Sequence, residues 1–436
     1  MRKILGIISV IGIIVVISTV VFIKFYTLKT DSGDTSKKAE PFEEVIDVTQ
    51  NAVSEYMDED DRVIGDFAAT TAETFLKGDE NVCYSPISLY MSLALLAEAS
   101  GGETRKEVLQ VLGSESVDKL EEYATTYMEC LELINSGNKN RKVILGNSLW
   151  IQKDNKMAST AEDIIKRCQE KMNADIIYEE FSATDINKWT EEKTDGLIKK
   201  LLDENNPLFK NLEYAIINTL YIQSRWSGDF TVAGNADFQL NSGEKVSVEY
   251  INMVDLSCGY IRGNNYTSVK ASLGGAEHKG GAYMLFVCPD DGVSLDSLAS
   301  EQTIGEILAT ANSNKAIDNA KVTLRVPKFS YASSIEEGTI KSKLTEMGAR
   351  TLWKEVDLSG LIEKNGPIFL SFIQKTKIGV DENGIIASAA TAITGATSAR
   401  TPEQEIKLIL DRPFMYIIER DGVPLFIGTV YNPTEG

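Results

Sequence analysis

The stretch Val380–Arg400 reads VDENGIIASAATAITGATSAR, and the rest of the chain is best read outward from it. From Ala387 to Ala399 there is no charge, and every residue except Ile393 is Ala, Ser, Thr or Gly. Composition alone suits a flexible exposed linker. The alternation suggests more, because Ile385, Ala387, Ala389, Thr391 and Ile393 form a slightly more apolar set than Ile386, Ser388, Ala390, Ala392 and Thr394. Such a segment can lie in solvent in one state and enter a sheet as an added strand in another, since small side chains pass into a tight slot without clashes. The preceding VDENG suits a polar hinge, with Gly384 permissive of backbone change.

Downstream, Phe414–Ile418 and Val423–Val430 flank Asp421-Gly422, a hairpin signal because both turn residues tolerate positive φ. Upstream, Val322, Leu324 and Val326 alternate with Thr323 and Arg325, as in a half-buried strand. The first half is helical in character. Apolar periodicity predicts helices over 65–76 and 85–97, and an amphipathic surface helix over 186–202. Early helices and late antiparallel strands indicate an α+β fold.

At 436 residues and 43% hydrophobic, the chain can bury a large core, and size alone favours more than one domain. A net charge of -20 repels phosphate backbones, which excludes nucleic acid as a partner. The five cysteines, Cys83, Cys130, Cys168, Cys258 and Cys288, are odd in number and far apart, so they read as buried fillers rather than a zinc site or disulfide framework. A hydrolase usually needs a base, yet the single histidine, His278, lies in the glycine-rich GGAEHKGG, which reads as an exposed loop. No GxSxG, HExxH or GxxxxGK[ST] pattern is present. The chain is read as no enzyme, and nothing in it demands a metal or an organic cofactor.

Ile4–Ile23 carries no charge and is dominated by Ile and Val, meeting the ~20 residues a membrane-spanning helix needs. Arg2 and Lys3 before it favour export of the chain beyond Ile23. Residues 1–26 are therefore read as a membrane anchor or signal segment, with the remainder extracytoplasmic. Thr27–Asp61 holds eleven acidic and three basic residues, the composition of a solvated spacer, and residues 27–60 are assigned to an acidic linker.

At Glu382, Gly384 and the Ala/Ser/Thr run, the chain resembles the serpin family of serine protease inhibitors, whose proximal hinge leads into a reactive-centre loop. Further motifs occur in the family's order. Asn81 with SPIS at Ser85–Ser88, then Gly101, Gly102 and Thr104, resembles its second helix and the segment after that helix. INKWTEEKTDGLIKKLL resembles the helix across the main sheet, and INTLYIQSRWSGDF, with Asn218, Tyr221, Trp226 and Phe230, the central strand. VPKFSY, VDLSGL, DRPFMYII, Phe426, Gly428, Asn432 and Pro433 complete the likeness.

The resemblance spans 61–436 and implies one domain with a large, mostly antiparallel central sheet, flanking helices, further sheets and a mobile reactive-centre loop. It implies a hinge of Glu382, Asn383, Gly384, Ile385, Ile386, Ala387, Ser388, Ala389, Ala390 and Thr391. It implies a shutter and breach at Ser85, Ser88, Asn218, Gln374 and Trp226, and a reactive bond at Ser398-Ala399, with Thr397-Ser398 and Arg400 as alternatives. Three departures stand out: Gln374 where the family usually has His, and Ile385 and Ile386 where it favours a small and often an acidic residue.

The function implied is suicide inhibition of a serine protease, elastase-like or subtilisin-like, by acyl-enzyme trapping and loop insertion. The partners implied are the target protease, covalently, and a membrane through the N-terminus, with the protein itself monomeric. The alternative is a non-inhibitory serpin acting as a surface binding or structural protein.

Overall fold

The computed structural model describes residues 59–135, 142–194, 196, 198–205, 213–274, 282–312, 318–335, 337–363, 370–385 and 405–435. The expected anchor at Ile4–Ile23, the expected spacer up to Asp58, His278 and the expected loop residues Ile386–Arg400 lie outside them. The helices are α1 (Glu59–Phe75), α2 (Pro86–Ala99), α3 (Gly102–Val111), α4 (Val117–Asn135), α5 (Ala161–Met172), α6 (Ala183–Lys193), α7 (Leu295–Leu298), α8 (Glu301–Asn312) and α9 (Glu337–Glu346). Among the described residues no helix is long and apolar enough to cross a membrane. The strands of the first half are β1 (Val82–Tyr84), β2 (Lys142–Ile151), β3 (Ala174–Tyr178), β4 (Tyr214–Arg225), β5 (Phe230–Gln239), β6 (Lys245–Arg262) and β7 (Tyr266–Ser272). The remaining strands are β8 (Tyr283–Pro289), β9 (Asp318–Pro327), β10 (Phe329–Ile335), β11 (Leu370–Asp381), β12 (Gly384–Ile385), β13 (Glu405–Ile409), β14 (Phe414–Arg420) and β15 (Val423–Val430).

The Asp-Gly signal holds in detail. Asp421 and Gly422 take φ of 47° and 83°, and Arg420 pairs with Val423 across them, closing β14 onto β15. This hairpin sits in a nine-stranded sheet of order β1-β15-β14-β8-β7-β6-β9-β13, with β5 on β6. Both hairpin strands are buried along their whole length, and Phe414, Tyr416, Phe426 and, on the neighbouring β8, Phe286 are fully buried. Val322, Leu324 and Val326 are also fully buried, as their alternation predicts.

A six-stranded sheet runs β10-β11-β12-β4-β2-β3. It is mixed: β2 and β4 pair antiparallel, whereas β11 with β4 and β2 with β3 are parallel. Its inner face meets α2, a helix apolar on all sides and wholly buried. Ser85 caps α2 by accepting from the Ser88 amide, and Pro86 occupies the first turn.

The outer face carries α6, where the expected helix over 186–202 is corrected. It ends at Lys193, and Gly196 has φ 80°, a left-handed conformation that suits glycine and breaks the helix. Thr194 Oγ1 accepts from the Ile198 amide, and Asn187 Oδ1 accepts from the amides of Leu201 and Leu202. The chain therefore stays on the sheet as an irregular crossing segment, with Leu202 packed beside Trp189, Ile217 and Trp150. Close approach of α6 depends on Gly146, where a Cβ would lie 2.8 Å from Thr219 Oγ1 and 3.2 Å from the Trp189 ring.

All five cysteines are buried thiols. At the end of α2, Glu98 is 1% exposed and accepts from Arg167 Nη2 at 3.0 Å, while Arg167 Nε meets Glu121 at 3.2 Å. Burial pushes the Glu98 carboxyl up to about 7 from its ordinary 4.5, against the pull of Arg167. A raised acid favours the fold while protonated, so its contribution is fully present below about 4.5 and is lost as pH rises through about 7. Urea midpoints measured across that window should show Glu98→Gln matching the natural protein near pH 4 and exceeding its stability by roughly 2 kcal/mol at pH 8.

Candidate functional site

The site is where β11 and β4 run side by side, and it starts from a row of amides. Register places Gln374 of β11 opposite Asn218 of β4, and Asn218 opposite Asn147 of β2. All three face α2 and are at most 4% exposed. Gln374 Nε2 donates to Asn218 Oδ1 at 3.0 Å and to the Ser85 carbonyl at 3.1 Å, while its Oε1 accepts from the Ser85 amide at 3.4 Å. Asn218 Nδ2 donates to the Ser88 carbonyl at 2.6 Å, to Ser92 Oγ at 3.0 Å and to Asn147 Oδ1. Four polar side chains, Gln374, Asn218, Asn147 and Ser92, together with the backbone of Ser85 and Ser88, thus join three strands to the first turns of α2, in a setting where an unpaired group costs about 1–3 kcal/mol.

Ser85, Ser88, Asn218 and Gln374 are brought together here, as their motifs suggest, and Gln374 supplies both a donor and an acceptor. The same cluster contains Asn147 and Ser92, which sequence reading missed. Their signal was an Asn inside the apolar run VILGNSLWI and a third Ser one turn beyond Ser88. Trp226 is not part of this network; it lies just past the far end of β4.

At that end the chain reverses after β11 and re-enters the sheet. Asp381 Oδ1 accepts from the amides of Asn383 at 2.7 Å and Gly384 at 3.2 Å, forming an Asx turn. Glu382 pairs with Lys328 Nζ at 2.7 Å; the hydrogen bond from Lys328 holds its carboxyl below the usual range. Trp226 Nε1 donates to the Asp381 carbonyl at 2.8 Å, and the Trp226 amide to the Asn383 carbonyl at 3.4 Å.

Gly384 has φ 147°, and a Cβ there would lie 2.0 Å from the Ser224 carbonyl oxygen, so only glycine fits. The two residues of β12 then wedge between the strands. Ile385 pairs with Val380 on one side and Ser224 on the other, and it is fully buried. The direct β11–β4 ladder runs from Leu370↔Tyr214 to Thr376↔Leu220 and stops there. Among the described residues, Lys377–Gly379 and Tyr221–Gln223 do not pair with each other. Ile386, Ala387, Ser388, Ala389, Ala390 and Thr391, with Thr397, Ser398, Ala399 and Arg400, lie beyond the described residues.

A sheet that holds the root of a loop between two of its own strands, with a polar lock ahead of it, defines a class of protein in which sheet and loop are partners. The chain belongs to the serpin family, whose model, Serpin (serine protease inhibitor), matches residues 62–433. It is 26% identical over 381 residues to mouse neuroserpin, covering 81% of this chain and 87% of that one. It is 25% identical over 383 residues to mouse alpha-1-antitrypsin 1-3, covering 85% and 88%. Among solved structures it is similar to the thermophilic serpin tengpin in the native state, with TM-score 0.73 at 24% identity, covering 93% of this chain and 98% of that one. It is also similar to human thyroxine-binding globulin, with TM-score 0.70 at 22% identity, covering 86% and 99%. Members of this family are in general protease inhibitors rather than catalytic enzymes.

Two substitutions test the site. Gln374→His should add a group that must stay neutral in this buried pocket, so that thermal stability relative to the natural chain falls as pH drops below about 6.5. Gly384→Ala should expel β12, seen as faster hydrogen exchange of the Trp226 amide.

Proposed function

We propose that this protein is a suicide inhibitor of serine proteases with small-residue specificity, elastase-like or subtilisin-like, whose reactive bond is Ser398-Ala399. The observation that carries the reading is β12, two residues already seated as the start of an added strand. Extending its register past Ile385 brings Ala387, Ala389 and Thr391 onto the same inward face as Ile385. Thr391 then falls opposite both Asn218 and Gln374.

Insertion therefore has to break the Gln374–Asn218 hydrogen bond, and a threonine hydroxyl arrives where a donor and an acceptor are released. The loop's alanines and serines enter without steric penalty, and Ile385 finds an apolar site. In this mechanism the protease attacks the bond, forms an acyl-enzyme and is carried across the molecule before it can deacylate. Stability of the starting state is then kinetic, because a lower-energy sheet is reached once the loop is cut.

We also propose that Ile4–Ile23 leads the protein to the outer side of a membrane. Its apolar length and basic flank support this.

Incubating the full chain with an elastase-like protease should give a covalent adduct on a denaturing gel and a released peptide starting at Ala399. Ala389→Arg should be cleaved at the same bond without the adduct, because insertion would bury an unpaired charge. Cleavage of the natural chain with no adduct and no gain in thermal midpoint would overturn the reading in favour of a non-inhibitory binding serpin. A new N-terminus at Thr401 would move the bait residue to Arg400.

A further inference from the structure

On the outer face of the six-stranded sheet, beyond the cover of α6, lies a cleft of about 290 Å³. Its walls are the crossing segment Ile198–Lys200 on one side and β10 and β11 on the other. The floor is open because Ser330 and Ala332 of β10 are small, and Ala332 lies in register with Lys377. Four lysines line it: Lys199, Lys200, Lys375 and Lys377.

In a chain of net charge -20 this is a local reversal of sign. The cations are only partly compensated. Lys200 pairs with Asp203 at 3.2 Å, and Lys375 Nζ donates to the Lys200 carbonyl at 2.9 Å. Among the described residues, Lys199 and Lys377 have no carboxylate partner. Burial and the neighbouring Lys200 together lower the Lys375 ammonium below its ordinary range.

We propose that this cleft binds a small multivalent oxyanion of the diphosphate class, held by Lys199, Lys375 and Lys377 with the Ser330 hydroxyl as a further donor. The cleft is too small for a folded partner, and several lysines lining it, with the Ser330 hydroxyl on its floor, match an anion carrying more than one charge.

The position gives the site a consequence. The crossing segment continues from α6, whose Trp189 packs over Ala215 and Ile217 of β4, whereas Lys375 and Lys377 belong to β11. A bound anion therefore braces β11 to the side of the sheet that holds β4, across the seam where the loop would enter. On the loop-insertion reading proposed above, it slows insertion.

The test is calorimetric titration of the full chain with sodium pyrophosphate, against sodium chloride at matched ionic strength. One saturable site is expected, weakened at least about tenfold in Lys199→Met/Lys377→Met and unchanged in the surface control Lys106→Met. Absence of saturable binding, an effect reproduced by chloride, or equal affinity in the double variant would each overturn the proposal. Where binding is present, saturating pyrophosphate should slow adduct formation in the natural chain and leave the double variant unaffected. An unchanged rate in the natural chain would overturn the brace. A chain that binds pyrophosphate yet never forms an adduct would count against the inhibitor reading while leaving the anion site intact.

Discussion

The hydrogen bond between Gln374 and Asn218 is the constraint on which the rest of this structure depends. It joins two strands, β11 and β4, that pair directly over only part of their length, and it does so in a buried layer where a broken polar contact is not repaired by solvent. Asn218 hands the constraint on to Asn147 and to the start of α2, so the sheet cannot open at this point without disturbing the helix beneath it. A seam closed by amide pairs has a discrete breaking point, which an all-apolar seam would lack.

The two ends of the seam are held by different physics. At the amide row, neutral side chains give a lock whose strength does not vary with pH. At the hinge, the hold is partly ionic and partly geometric, with Glu382 on Lys328 and the Asx turn of Asp381 aiming Gly384 into a space that admits no side chain. The ionic part is screened by salt, while the geometric part is not. The seam is thus gripped most firmly where it is most polar, and it is already parted where the chain turns back.

Much of this was readable before any coordinates. The Asp-Gly hairpin, the alternation of Val322–Val326 and the apolar helix beginning near Ser85 each arise from local chemistry that the chain satisfies within a few residues. What could not be read were features set by distant partners. The parallel pairing of β11 with β4 joins residues more than 150 positions apart, and no local pattern announces it. Asn147 interrupts an apolar strand, and only the row it completes across the sheet accounts for it. The helix expected to reach Leu202 stops at Lys193 because Gly196, Thr194 and Asn187 bind the chain into a different path, although its apolar residues still find the same core.

One feature of the nine-stranded sheet bears on how the molecule is made. Strand β1, near Val82, pairs with β15 through Thr429, and β14 and β15 lie between β1 and β8 in the sheet. During synthesis the hinge and loop leave the ribosome before that hairpin exists, so for a time the chain holds a finished loop and an unfinished core. Non-local pairing of this kind is slow to form. On the loop-insertion reading proposed above, the C-terminal hairpin is therefore in a race with the loop. On that reading the starting state is reached only when the last strands dock before the loop finds its own way into the sheet.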